Sequence, residues 1–171
     1  MRWIAFILTL FAAPASASVA DVPPIALHCV KALMEGTEFK TKAMQAISPE
    51  QAGVQDALPD ALFYHVPNEQ VMLSYVELTT MKIRGCMAFP DNQDNGWDGA
   101  SVARAISEFG FKAVPACSSD DAKVWFSTEI NRKGRGITVG LKVLDDVVKE
   151  FVAFETHSIS TQQDCQTAVE E

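Results

Sequence analysis

Between Lys123 and His157 the apolar positions recur every second residue, the period of strands with one buried face. Val124, Phe126, Thr128 and Ile130 alternate with Trp125, Ser127 and Glu129. Beyond the polar turn from Asn131 to Gly136, Ile137, Val139, Leu141 and Val143 alternate with Thr138, Gly140 and Lys142. Asp145 and Asp146 then turn the chain into a third run, Val147 to Glu155. The pattern predicts a three-stranded antiparallel meander. A fainter one precedes it, with strands at Leu62 to Val66, Val71 to Leu78 and Met81 to Phe89, and turns at Pro67-Asn68-Glu69 and Thr79-Thr80.

The period changes to that of a helix ahead of each meander. From Ile25 to Glu35, Leu27, Val30 and Met34 share a face, with Ile25, Cys29 and Leu33 beside it. Asp21-Val22-Pro23-Pro24 suits the start of that helix and Gly36 its end. A second helix opens at Trp97-Asp98-Gly99, carries Val102, Ile106 and Phe109 on one face, and closes at Gly110, with Phe111 placed for the apolar contact of a C-terminal cap. The stretch between the first helix and the first meander is less regular. Phe39 to Ala46 reads as a short helix, Ser48-Pro49-Glu50-Gln51 as a capping box opening another turn, and Leu58-Pro59-Asp60 as a breaker.

The two meanders align. Residues 60–64 fall against 121–125; Val71, Leu73, Tyr75 and Leu78 against Ile137, Val139, Leu141 and Leu144; and, after a one-residue slip, Met87-Ala88-Phe89 against Val152-Ala153-Phe154. The fold class expected is α+β, as a tandem pair of units, residues 21–96 and 97–171, each a helix followed by a three-stranded meander. The alternative is an α+β domain without internal symmetry, because amphipathic strands resemble one another by composition alone.

The first twenty residues change the setting. Arg2, the apolar run Trp3 to Ala13, Pro14 and the small residues up to Ala20 have the layout of an export signal, with cleavage after Ala17 or Ala20. The run is short of the roughly 18 residues needed to span a bilayer, so no integral membrane segment is expected after cleavage. Residues 21–171 would then form one periplasmic or secreted domain. In an oxidising compartment Cys29, Cys86, Cys117 and Cys165 read as two disulfides, and no Cys-x-x-Cys spacing points to zinc or to redox exchange. If each unit holds its own bridge, the pairs are Cys29–Cys86 and Cys117–Cys165, each contributing about 4 kcal/mol through the unfolded chain.

Charge narrows the partners. The chain carries −8, and loss of the leader removes Arg2 and no acid, giving −9. Nucleic acid and anionic membrane surfaces are disfavoured, and a basic protein or a cation is permitted. Asp91-Asn92-Gln93-Asp94-Asn95-Gly96 resembles the start of the calcium loop of EF-hands and dockerins, with Asp91, Gln93 and Asn95 at the alternating ligand positions. It departs from that pattern in having Gln93 for an acid or Asn, Val102 where the bidentate Glu belongs, and a strand ahead of the loop. A solvated turn with Asp98 capping the following helix explains the same residues. Calcium is the one cofactor the sequence suggests.

Arg132, Lys133 and Arg135 form the one dense basic cluster in this acidic chain, able to grip a carboxylate or phosphate, or simply to keep a hairpin tip solvated. Trp125 can add an aromatic ligand surface, or be covered by a helix. His28, His65 and His157 show no metal-ligand spacing, and there is no Gly-x-Ser-x-Gly elbow and no phosphate-cradling glycine loop. No catalytic residue is assigned. The expectation is a non-catalytic exported protein that binds a protein or small ligand, with an inhibitor or immunity-type protein as its specific form. The alternative is a small exported hydrolase whose site is assembled from dispersed histidine and carboxylates.

Overall fold

The computed structural model describes residues 19–156 except 21, 56, 59, 79–82, 93, 128 and 129. The proposed leader is outside the described residues save for Val19–Ala20, and Cys165, His157 and Gln93 are outside them too. The strands are β1 (Val19–Ala20), β2 (Gln45–Ile47), β3 (Ala61–Val66), β4 (Val71–Leu78), β5 (Ile83–Pro90), β6 (Gly96–Asp98), β7 (Phe111–Ala113), β8 (Ala122–Ser127), β9 (Gly136–Leu144) and β10 (Val147–Thr156). The helices are α1 (Pro24–Glu35) and α2 (Gly99–Glu108). The protein is α+β with the sheet dominant.

One sheet holds both meanders, in the order β2-β3-β4-β5-β10-β9-β8-β7, every neighbour antiparallel. The short strand β6 adds to β10, and β1 pairs with it in parallel. The order reads alike from either end. Residues aligned in the sequence also stand on matching rungs. Tyr64 pairs with Leu73 and Leu73 with Ala88; correspondingly Trp125 pairs with Val139 and Val139 with Ala153. Met87 and Val152, aligned with each other, pair directly across the junction of the two meanders.

Both helices lie on one face of the sheet. Ile25, Ala26, Cys29, Val30, Ala32 and Leu33 of α1 and Val102 and Ile106 of α2 join one core with Leu73, Ala88, Val139, Leu141, Phe151 and Ala153 from the strands. Helix α1 ends as anticipated, with Gly36 at φ +65° and its N–H bonded to the carbonyls of Ala32 and Leu33. Its start lacks a side-chain cap of its own. Glu69, from the β3–β4 turn, supplies one by accepting the Ile25 N–H at 2.8 Å. The disulfide among the described residues, Cys29–Cys86, ties α1 to β5 with both cysteines buried. Cys117 lies in the single 3-10 turn Pro115–Cys117, and its expected partner is outside the described residues.

Three expectations are corrected. Residues 39–46 do not form a helix: Phe39 is buried and stacked on Tyr75 at 5.3 Å, and Gln45–Ile47 forms an edge strand on β3, so sheet pairing outweighs helix propensity. Trp97 and Phe111 belong to strands β6 and β7 rather than to the ends of α2. The alternation along β8 is reversed: Trp125 and Ser127 face the helices and are buried, while Val124 is on the other face. Trp125 therefore packs in the core and offers no ligand surface.

Candidate functional site

The sheet face away from the helices is covered only in part. Alternation along the strands puts Phe63 and His65 of β3, Met72, Ser74 and Val76 of β4, Gly85, Met87 and Phe89 of β5, and Glu150, Val152 and Phe154 of β10 on it. Residues 48–55, 57 and 58 lie over the first meander as a strap. The strap begins with the anticipated capping box, Ser48 N–H to Gln51 Oε1 at 2.9 Å and Gln51 N–H to Ser48 Oγ at 3.3 Å. It makes one turn and stops at Gly53, φ +74°. Over the second meander Gly140 has open space above it among the described residues: a Cβ placed there would meet nothing within 4 Å.

Two adjoining cavities open beside the strap. The larger, about 710 Å³, has Met72, Met87 and Phe89 as its floor, Gln51 to Val54 along one wall and Lys142, Val143 and Leu144 along the other. The smaller, about 280 Å³, lies between Val54, Ala57 and Leu58 of the strap and Phe63, Val76, Val152 and Phe154 of the sheet. Val54 and Met87 line both. Leu58, Leu144 and Phe154, all at this site, are among the most exposed large apolar side chains of the described residues.

The larger cavity exists because two strands part. The β5–β10 ladder ends at Ala88 and Phe151. Beyond it a β-bulge at Lys149 turns β10 away to pair with β6 at Trp97 and Asp98. Gly96 permits that pairing, since a Cβ there would fall 2.2 Å from Val147 Cγ1. The rim of the opening is charged, with Asp91, Asp121 and Glu150 against Lys142 and Lys149. Asp121 is held below the ordinary carboxylate range, first by the Ser119 hydroxyl and then by its backbone and the nearby Lys142 and Lys123.

Asp91 and Asn95, two of the proposed calcium ligands, line this rim but are committed elsewhere. Asp91 Oδ2 lies 3.3 Å from His65 Nε2, and the carbonyls of Asn95 and Asp94 accept from the Lys149 ammonium at 2.9 and 3.5 Å. A lysine ammonium thus stands against the loop's backbone, a positive charge that would oppose a bound cation. Asn92 Oδ1 accepts the Asp94 N–H, closing an ordinary Asx turn. No group of three or more His, Cys, Asp or Glu among the described residues is placed to hold a metal.

Asp98 caps α2, its carboxylate accepting the Ser101 N–H at 2.7 Å. The Ser101 hydroxyl first, and then this backbone bond, hold its pKa below the usual value of 3.8. A carboxyl with a depressed folded pKa contributes stability above the unfolded pKa and loses it as pH falls through the folded one. Asp98→Ala should therefore melt below wild type at pH 7, and the gap should close as the pH falls through the range in which Asp98 is protonated in the folded protein. A gap independent of pH would mean that the charge is not involved.

The basic hairpin tip is also accounted for by the fold. Asn131 organises it, its Oδ1 accepting the N–H groups of Lys133 and Arg135 and its Nδ2 donating to Leu33 O at the end of α1 and to Glu155 Oε1. The stems of Arg132 and Lys133 pass beside Gly36 at the end of α1. Arg135 lies 3.8 Å from the fully buried Glu155. The stronger partner of Glu155 is Arg84, at 2.6 Å through Nη2 and 3.3 Å through Nε, and Arg84 also donates to Thr37 O. Burial works to lower the Arg84 pKa, but the hydrogen bond and charge of Glu155 raise it overall above the ordinary arginine value. Desolvation likewise raises Tyr75 above 10.0, against the pull of Arg84.

Comparison with protein-family models, with curated proteins and with solved structures returns no match. Function is therefore argued from the cleft. Of the residues singled out in the sequence, Asp91 and Asn95 stand at it, while Arg132, Lys133, Arg135 and Trp125 are given other positions by the fold. Met72, Met87 and Phe89 went unnoticed in the sequence because apolar strand residues on the two faces look alike. The one available signal was that Cys86 to Phe89 is apolar without alternation, as a strand covered on both faces would be.

Proposed function

We propose that this is a non-catalytic exported binding protein, and that its ligand occupies the cleft between the strap and the uncovered sheet face. The observation that carries this reading is the pair of adjoining cavities with a floor of Met72, Met87 and Phe89. Protein surfaces seldom leave so much apolar sheet unfilled unless something docks there. Unbranched, polarisable methionine also adapts to ligands of differing shape. The uncharged dye Nile red is expected to bind saturably with a blue-shifted emission. Met87→Asp and Phe89→Asp, each verified as folded by circular dichroism, should abolish that signal. Absence of saturable binding, or binding that both variants retain, rejects the cleft as the site.

Export rests on the leader-like first twenty residues, and it agrees with the Cys29–Cys86 disulfide. No helix among the described residues is long and apolar enough to cross a membrane. The second bridge, Cys117–Cys165, is the pairing left once Cys29 and Cys86 are joined; peptide mapping without reduction should recover it. The palindromic strand order and matched rungs support descent of residues 21–96 and 97–171 from one duplicated unit. Sequence profiles of relatives built separately for the two halves should then match each other, and a failure to match counts against duplication.

One observation favours the alternative, a small exported hydrolase: the His65–Asp91 pair at the cleft, with side chains 26% and 24% exposed. An imidazole oriented by a carboxylate is the minimum for general-base chemistry. Hydrolysis of a chromogenic ester or phosphate that disappears in His65→Ala would establish this reading over the first.

A further inference from the structure

We infer that the occupant of the cleft is a cationic amphipathic helix of another protein, an inference that rests on the binding reading above. Along the cleft floor β4 pairs with β5 as far as Pro90 and β5 with β10 as far as Ala88, so where β5 and β10 part only Phe89 and Pro90 of β5 are left without that neighbour, too short an edge for an incoming strand to extend. Docking must use side chains alone, as when a helix lays its apolar stripe in a groove. The other face of the same sheet already takes two helices in this manner.

The floor and the rim specify the two sides of such a helix. Met72, Met87 and Phe89 form an apolar track, and the exposed Leu144 of the larger cavity and Phe154 of the smaller continue it through the two cavities, an elongated footprint rather than a closed pocket. At the rim Asp91, Asp121 and Glu150 outnumber Lys142 and Lys149. Lys149 is engaged on backbone carbonyls and Lys142 lies beside Asp121, while Asp91 is paired with His65 and Asp121 accepts from Ser119. Glu50, Asp94 and Asp120, chain neighbours of the lining residues, add exposed carboxylates in a protein carrying −8 overall. An anionic ligand would meet this rim unfavourably, whereas lysines or arginines flanking an apolar stripe would meet it favourably.

The test uses the full chain after leader removal and two synthetic peptides of about 18 residues, five helical turns, with leucines at helical spacing and either lysine or glutamate elsewhere. The Leu/Lys peptide is expected to displace Nile red and to bind about tenfold more weakly to Asp121→Asn/Glu150→Gln. Glu35→Gln/Glu38→Gln, the same loss of charge at the far end of α1, should leave its affinity unchanged. The Leu/Glu peptide should not displace the dye. If Nile red binds but the Leu/Lys peptide does not displace it, the helix inference fails and the binding reading stands. Equal binding of the Leu/Glu peptide, or equal weakening by the Glu35/Glu38 variant, also overturns the inference. If the dye itself does not bind, both fall.

Discussion

Glu155→Gln is expected to destabilise the protein by about 3–5 kcal/mol, the cost of leaving a buried cation without its counter-charge. Glu155 is fully buried, and the Arg84 side chain 2.6 Å from it is 4% exposed. The carboxylate also receives Asn131 Nδ2 at 2.9 Å and has Arg135 at 3.8 Å. Glutamine preserves the shape and one acceptor but no charge. These groups belong to α1, β5, β10 and the β9 hairpin, so the loss should appear as one cooperative unfolding transition. In urea the midpoint should fall, and added salt should restore little, because screening reaches buried pairs weakly. Arg84→Met/Glu155→Gln should cost less than the sum of the single changes, since the stranded charge goes with its partner. A loss under about 1 kcal/mol for Glu155→Gln would show the pair to be as solvated as a surface ion pair.

Removing the Cys29–Cys86 bridge should cost about 4 kcal/mol, the chain-entropy value for a loop spanning the 57-residue separation. Cys29→Ala/Cys86→Ala should then melt roughly 8–16 °C lower than the oxidised wild type, given about 2–4 °C per kcal/mol for chains near this length. Hydrogen exchange in the variant should lose protection chiefly in Pro24–Glu35, the helix that the bridge ties to β5. Both sulfurs are buried, so mild reductant should act slowly unless the protein is partly unfolded first. A double variant within 1 kcal/mol of wild type would mean that packing of α1 alone holds it to the sheet.

Much of the fold was legible because it is written in local periods. The strands of both meanders, the turn at Asp145-Asp146, where both residues take positive φ, the Gly36 stop, the Asp98 cap and the Ser48–Gln51 capping box were all read from residue order. Each depends on atoms a few residues apart, where steric and hydrogen-bonding preferences act directly. The edge strand at Gln45–Ile47 was not legible in this way. Its pairing with β3 and the stacking of Phe39 on Tyr75 join residues distant in sequence, and these overrode a helical preference.

The cleft lay further out of reach. A period of two separates the faces of a strand but does not tell which face the helices will cover, and along β8 the expected side was reversed. Arg84 and Glu155 stand in apolar runs and look like surface charges until β5 and β10 are laid side by side. The apparent calcium loop illustrates the same limit, because the Lys149 ammonium that engages its carbonyls is 54 residues from Asn95.

By itself, then, the sequence determined the α+β class and two meanders each preceded by a helix, and it favoured Cys29–Cys86 only on the condition that each unit holds its own bridge. Tertiary structure alone decided that the meanders join at Met87 and Val152 into one sheet, that both helices cover the same face, and that the opposite face opens into a cleft where β5 and β10 part. The division follows from range. Backbone preferences and side-chain periods act over a few residues, whereas the choice of buried face and the meeting of distant charges depend on which surfaces pack together.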